Sequence, residues 1–61
     1  MNTMLQKFRE RIAAELRLAQ DELAWWNDLV ARGVVKPEHA RGYIENENRL
    51  IATKRYVLGL S

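Results

Sequence analysis

A chain of 61 residues with no cysteine, one proline and a formal charge of +2 at neutral pH leaves few classes of protein open. A domain this short buries only about 60% of its unfolded surface and is marginal alone. Disulfides and thiolate metal sites are excluded as staples, so a partner chain is the expected one.

Apolar residues make up 48% of the chain and charged residues 30%, which is too apolar for intrinsic disorder. No run approaches the roughly 18 consecutive apolar residues of a membrane span. Lys7, Arg9, Glu10 and Arg11 interrupt what would be the apolar core of a secretory signal. The expectation is one soluble domain over residues 1–61, in the cytoplasm.

In chain order, Leu5, Ile12, Leu16, Ala19, Leu23, Trp26 and Val30 recur at threes and fours, the period of an amphipathic helix. Thr3 with Gln6 fits a capping box at its start. Gly33 can take the left-handed conformation that closes a helix, with Val34 folding back on Leu29 in a Schellman motif. The first helix is expected over about 3–32, and the turn over 33–36.

Pro37 suits the first position of a second helix, where its missing N–H costs nothing, and it pushes Lys36 extended. Glu38 then lies at the positive end of the helix dipole. Ala40, Tyr43, Ile44, Leu50, Ile51, Val57 and Leu58 repeat at helical spacing as far as Gly59, giving a helix over about 37–58. Gly42, inside it, fits either a close helix approach or tolerated slack. Two amphipathic helices joined by a short turn make an all-α antiparallel hairpin.

Folding back at Val34-Val35 pairs residues whose numbers sum to about 69. Leu58 then lies near Arg11, and Met4, Leu5 and Phe8 overhang with no second helix beside them. Each large apolar side chain left in water forgoes about 1.5–3 kcal/mol. Leu18, Trp25 and Leu29 form a second apolar stripe about a third of a turn from the first, and one neighbouring helix needs only one stripe. Trp26 is expected in the hairpin core and Trp25 on the second seam, with Glu22 beside it. Met4, Leu5, Phe8, Leu18, Glu22, Trp25 and Leu29 are therefore the candidates for a dimer or partner interface.

A dimer of hairpins forming a four-helix bundle is the simplest way to cover both regions. In outline it resembles the RNA-regulating helical hairpins of plasmids, which are of similar length and dimerise. That likeness is one of architecture and matches no motif.

The same pairing sorts the charges. Toward the free end, Lys7, Arg9, Arg11, Arg17, Arg49, Lys54 and Arg55 face only Glu10 and Glu15. Toward the loop, Arg32, Lys36 and Arg41 are outnumbered by Asp21, Glu22, Asp28, Glu38, Glu45 and Glu47. A positive end and a negative end favour a head-to-tail dimer. Alternatively Lys7, Arg11, Arg17, Lys54 and Arg55 meet phosphate or an acidic protein surface. Glu47 and Lys54 interrupt the apolar stripe of the second helix. Lys54 is expected to pair with Glu15, and Glu47 to lie near Glu22 and Trp26, where it can accept an indole N–H or a partner's arginine. Glu15, Glu47 and Lys54 are candidate buried polar residues that set the register.

Nothing assembles into a catalytic set. The one histidine, His39, is expected exposed or at an edge, and the one serine is the terminal Ser61. No Glu-x-x-His pair and no glycine-rich loop is present. No catalytic residue, metal, cofactor or small-molecule substrate is expected, nor a membrane-surface role, since the polar face mixes both signs of charge. The reading is a homodimeric, non-enzymatic module that inhibits or modulates a second protein by covering its functional surface. Phage and mobile-element accessory factors are the general type. The alternatives are a nucleic-acid-binding bundle using the basic end, and a structural assembly subunit.

Overall fold

The computed structural model describes residues 3–60 and is an all-α helical hairpin. Helix α1 spans Thr3–Ala31 and helix α2 spans Pro37–Leu58. The described chain measures 50 × 15 × 14 Å, a two-helix plank. Met1, Asn2 and Ser61, the one serine, lie outside the described residues.

Both helices end in the same way, and glycine is the cause. Gly33 has φ 74° and Gly59 φ 76°, the left-handed region where a Cβ would crowd the following carbonyl. At the turn, the Gly33 N–H donates to Val30 O at 3.0 Å and the Val34 N–H to Leu29 O at 3.0 Å. That is the expected Schellman pair. At the end of α2, the Gly59 N–H donates to Tyr56 O at 3.0 Å and the Leu60 N–H to Arg55 O at 2.8 Å. Lys36 is extended, with φ −72° and ψ 143°, and Pro37 follows at the helix start.

The start of α1 departs from expectation. The Gln6 amide donates forward to Glu10 Oε1 at 3.4 Å, and no hydrogen bond joins Gln6 to Thr3 among the described residues. Residues one turn apart on an exposed helix face are natural neighbours, and Glu10 offers a charged acceptor.

The register matches the sequence expectation at two levels. Lys54 meets Glu15 across the hairpin, with Nζ donating to Oε1 at 3.1 Å. Trp26 stacks on Tyr43 with ring centroids 4.6 Å apart and planes within 7°. A third contact ties the free end, where Arg9 Nη2 donates to Leu58 O at 3.1 Å. A cation at a helix C-terminus satisfies an orphan carbonyl and opposes the dipole.

The core between the helices is thin. Leu16, Ala19 and Leu29 of α1 and Ala40, Glu47 and Leu58 of α2 are buried. Ile12, Leu23, Trp26, Val30, Ile44 and Ile51 are half-buried, and no large side chain is completely covered among the described residues. One helix shields only one stripe of its neighbour, so the flanks of both stripes stay in water.

Candidate interaction face

Leu29 is the first correction to the expected seam. It is buried, at 9% exposure, and belongs to the hairpin core. The left-handed turn at Gly33 brings the chain back over it, and its carbonyl accepts from both Val34 N–H, at 3.0 Å, and Val35 N–H, at 3.4 Å. Leu18 and Trp25 remain where the spacing put them, exposed at 59% and 55%.

The second helix supplies what the sequence reading missed. Tyr43, Leu50 and Val57, expected within its apolar stripe, are exposed. They are spaced by seven, as are Leu18 and Trp25, and the hairpin register sets them level with the α1 residues. A shallow concavity of about 230 Å³ has Leu18 and Leu50 in one lining together with Glu22 and Glu47. One turn nearer the loop, Trp25 packs edge-on against Trp26 at 5.0 Å, and Trp26 lies flat on Tyr43. Five large apolar side chains thus occupy one broad face. The spacing of seven was the available signal: such residues drift only about 20° per step around a helix and so hold one edge of the stripe.

The opposite face is of another kind. There the helical period places Gln20, Ala24 and Asn27 of α1 and Arg41, Asn48 and Arg55 of α2, all exposed. Met4, Leu5 and Phe8 are exposed on the overhang as expected, at 83%, 51% and 48%. Beneath the overhang an open groove of about 600 Å³ is lined by Leu5, Gln6, Arg9, Glu10, Ala13, Leu58 and Leu60.

Two carboxylates in the interaction face are in opposite electrostatic states. Glu15 receives the Lys54 ammonium and lies 3.6 Å from Arg11 Nε. The Lys54 hydrogen bond, then its charge, holds the Glu15 carboxyl below the ordinary carboxylate range. Glu47 is buried, and its Oε2 has no hydrogen-bond partner. Burial first, and then Glu22 opposite it, pushes Glu47 above that range. No indole hydrogen bond to Glu47 forms among the described residues, and Glu22 is what faces the carboxylate. The neighbouring carboxyl makes Glu47 hold its proton more tightly.

The pH consequence follows by linkage. The folded hairpin holds the Glu47 proton more tightly than the unfolded chain does. Its contribution is therefore present below about pH 4.5, the ordinary value, and is lost as pH rises through the raised folded value. Glu15 acts in the opposite sense: its contribution is present above 4.5 and lost as pH falls through its lowered value. At concentrations where the chain is a single hairpin, Glu47→Gln is expected to raise Tm at pH 7 by a few degrees. It should also abolish the part of the Tm decline that wild type shows above pH 4.5. Thermal melts across pH read both.

The basic end is partly committed. Arg9, Arg11 and Lys54 are engaged within the hairpin, whereas Lys7, Arg17, Arg49 and Arg55 make no ion pair among the described residues. His39 is exposed in the first turn of α2. No group of three or more His, Asp or Glu able to hold a metal occurs among the described residues, and no described helix is long and apolar enough to cross a membrane. Comparison of the chain with protein-family models, curated proteins and solved structures returns no match.

Proposed function

We propose that this chain is a non-enzymatic binding module. Two hairpins associate into a four-helix bundle, and the bundle acts on another protein by covering its functional surface, in the manner of phage or mobile-element accessory factors. One observation carries the reading: Leu18, Trp25, Tyr43, Leu50 and Val57 lie exposed on a single face. Aromatic side chains set in an exposed apolar patch are the material of interface cores, and a 61-residue hairpin gains most by covering them. With that face used in self-association, the bundle meets its protein partner through its charged exterior, where Lys7, Arg17 and Arg55 stand free.

The nucleic-acid alternative is separated by salt. Fluorescence anisotropy with labelled duplex DNA and RNA is expected to show no saturable binding at physiological ionic strength. Saturable binding that weakens steeply with salt and is lost in Arg17→Gln/Arg55→Gln would replace the protein-binding reading with a phosphate-binding one. A structural subunit would instead give oligomers that keep growing with concentration.

A further inference from the structure

We infer that the exposed face is closed by a second copy of this chain running antiparallel, with the two-fold axis crossing the hairpin at Leu18 and Leu50. Lys54 of each copy then reaches the Glu22–Glu47 pair of the other. The inference rests on the self-association proposed above and adds its register, its orientation and the residue that the second copy contributes.

Length selects the axis. Helix α1 runs Thr3–Ala31, so Leu18 lies next to its midpoint and the pairing sets Leu50 level with it. An axis there brings the whole 50 Å length of both planks into contact, including Phe8 and Met4, which come over the loop end of the second copy. The described chain is about 50 by 15 Å; because α2 is shorter than α1, the face is less than the roughly 750 Å² of that rectangle, toward the lower part of the range of about 600–1,000 Å² per partner in stable interfaces. An axis at Glu22 and Glu47 would leave the first turns of α1 hanging in water.

Charge selects the same axis. In a parallel dimer the two basic ends lie together, as do the two acidic ends. An antiparallel dimer with its axis at Glu22 and Glu47 brings four carboxylates together at the centre. Centred on Leu18 and Leu50, the antiparallel dimer avoids both faults. Seven residues to either side of the axis, Arg11 meets Trp25, a cation over an indole, and Val57 meets Tyr43. Glu47 lies three residues from the axis and Lys54 four on the other side, so the Lys54 of one copy arrives beside the Glu47 of the other. Each cluster then holds Glu22 and Glu47 from one copy and Glu15, Lys54 and Arg11 from the other. Glu47 Oε2, buried without a partner in the single hairpin, gains a donor. A charge buried in an interface favours the register in which it is met.

Because the chain contains no cysteine, single-cysteine variants report the axis directly. Leu18→Cys and Leu50→Cys are each expected to form a self-linked covalent dimer on mild oxidation, far faster than Glu22→Cys. Circular dichroism verifies that each variant folds, and all three positions are on the surface of the hairpin or its rim. Faster linking of Glu22→Cys would overturn the register while leaving self-association intact. Preferential linking of Leu18→Cys to Leu50→Cys in a mixture would overturn the antiparallel orientation. A wild-type mass of one chain at every concentration would overturn self-association itself. For the contributed residue, Lys54→Met is expected to raise the dimer dissociation constant about tenfold or more, while Arg55→Met, off the face, leaves it unchanged. Equal constants for the two variants would remove Lys54 from the interface.

Discussion

Leu16→Ala is expected to unfold most of the hairpin at 37 °C. Leu16 is buried at 7% exposure in a core whose other buried apolar residues, among the described residues, are Ala19, Leu29, Ala40 and Leu58. Truncating a buried leucine costs about 2–5 kcal/mol, the lost transfer free energy plus the cavity left behind. At about 0.05–0.15 kcal/mol per residue, the stability of the whole chain is of the same size. Far-UV circular dichroism during a urea titration reads the loss. Leu18→Ala is the control: Leu18 is mostly exposed in the single hairpin, so the same chemical change two residues on should leave the isolated hairpin's stability almost unaltered.

The second large effect concerns association. Leu18→Asp combined with Leu50→Asp is expected to raise the dimer dissociation constant about a hundredfold or more while preserving helical content. The few residues that dominate an interface cluster near its centre and are worth about 2 kcal/mol or more, and about 1.4 kcal/mol is a factor of ten. At a two-fold axis each substitution also meets its own copy, so like charges are brought together. Helicity is preserved because neither side chain is buried within one hairpin. An equally charged control on the opposite face, Gln20→Asp with Asn48→Asp, should associate as wild type does. Analytical ultracentrifugation of the two double variants side by side gives the comparison.

How much of this was legible in the sequence can be followed residue by residue. The helices, the turn and the register were readable because local chemistry sets them: Gly33 and Gly59 each end a helix, Pro37 starts one, and a four-residue turn leaves one way to fold back. The Lys54–Glu15 and Trp26–Tyr43 contacts follow from that arithmetic. Leu29 was misplaced because helical periodicity describes a straight rod, whereas the chain leaving α1 folds across its last turn. Tyr43, Leu50 and Val57 were hidden for another reason. A period of 3.6 groups them with Ile44 and Ile51, and only the position of the neighbouring helix decides which edge of that stripe is covered. The Glu22–Glu47 pair was placed correctly by register, but that Glu47 would be buried with Oε2 unsatisfied depends on packing.

The face also explains why a stable single hairpin would be hard to improve in isolation. Substituting its exposed leucines, Leu18 and Leu50, by polar residues is expected to change little inside the hairpin while removing apolar surface that the proposed association would cover. Covering the same side chains with a second copy adds apolar burial that two helices alone do not supply.

The most direct test is the molar mass in solution, by multi-angle light scattering over a dilution series at neutral pH. Twice the chain mass of 7.2 kDa is expected, falling to a single chain on dilution, with a single chain throughout for Leu18→Asp/Leu50→Asp. A wild-type protein that is folded and has the mass of one chain at every concentration would contradict it.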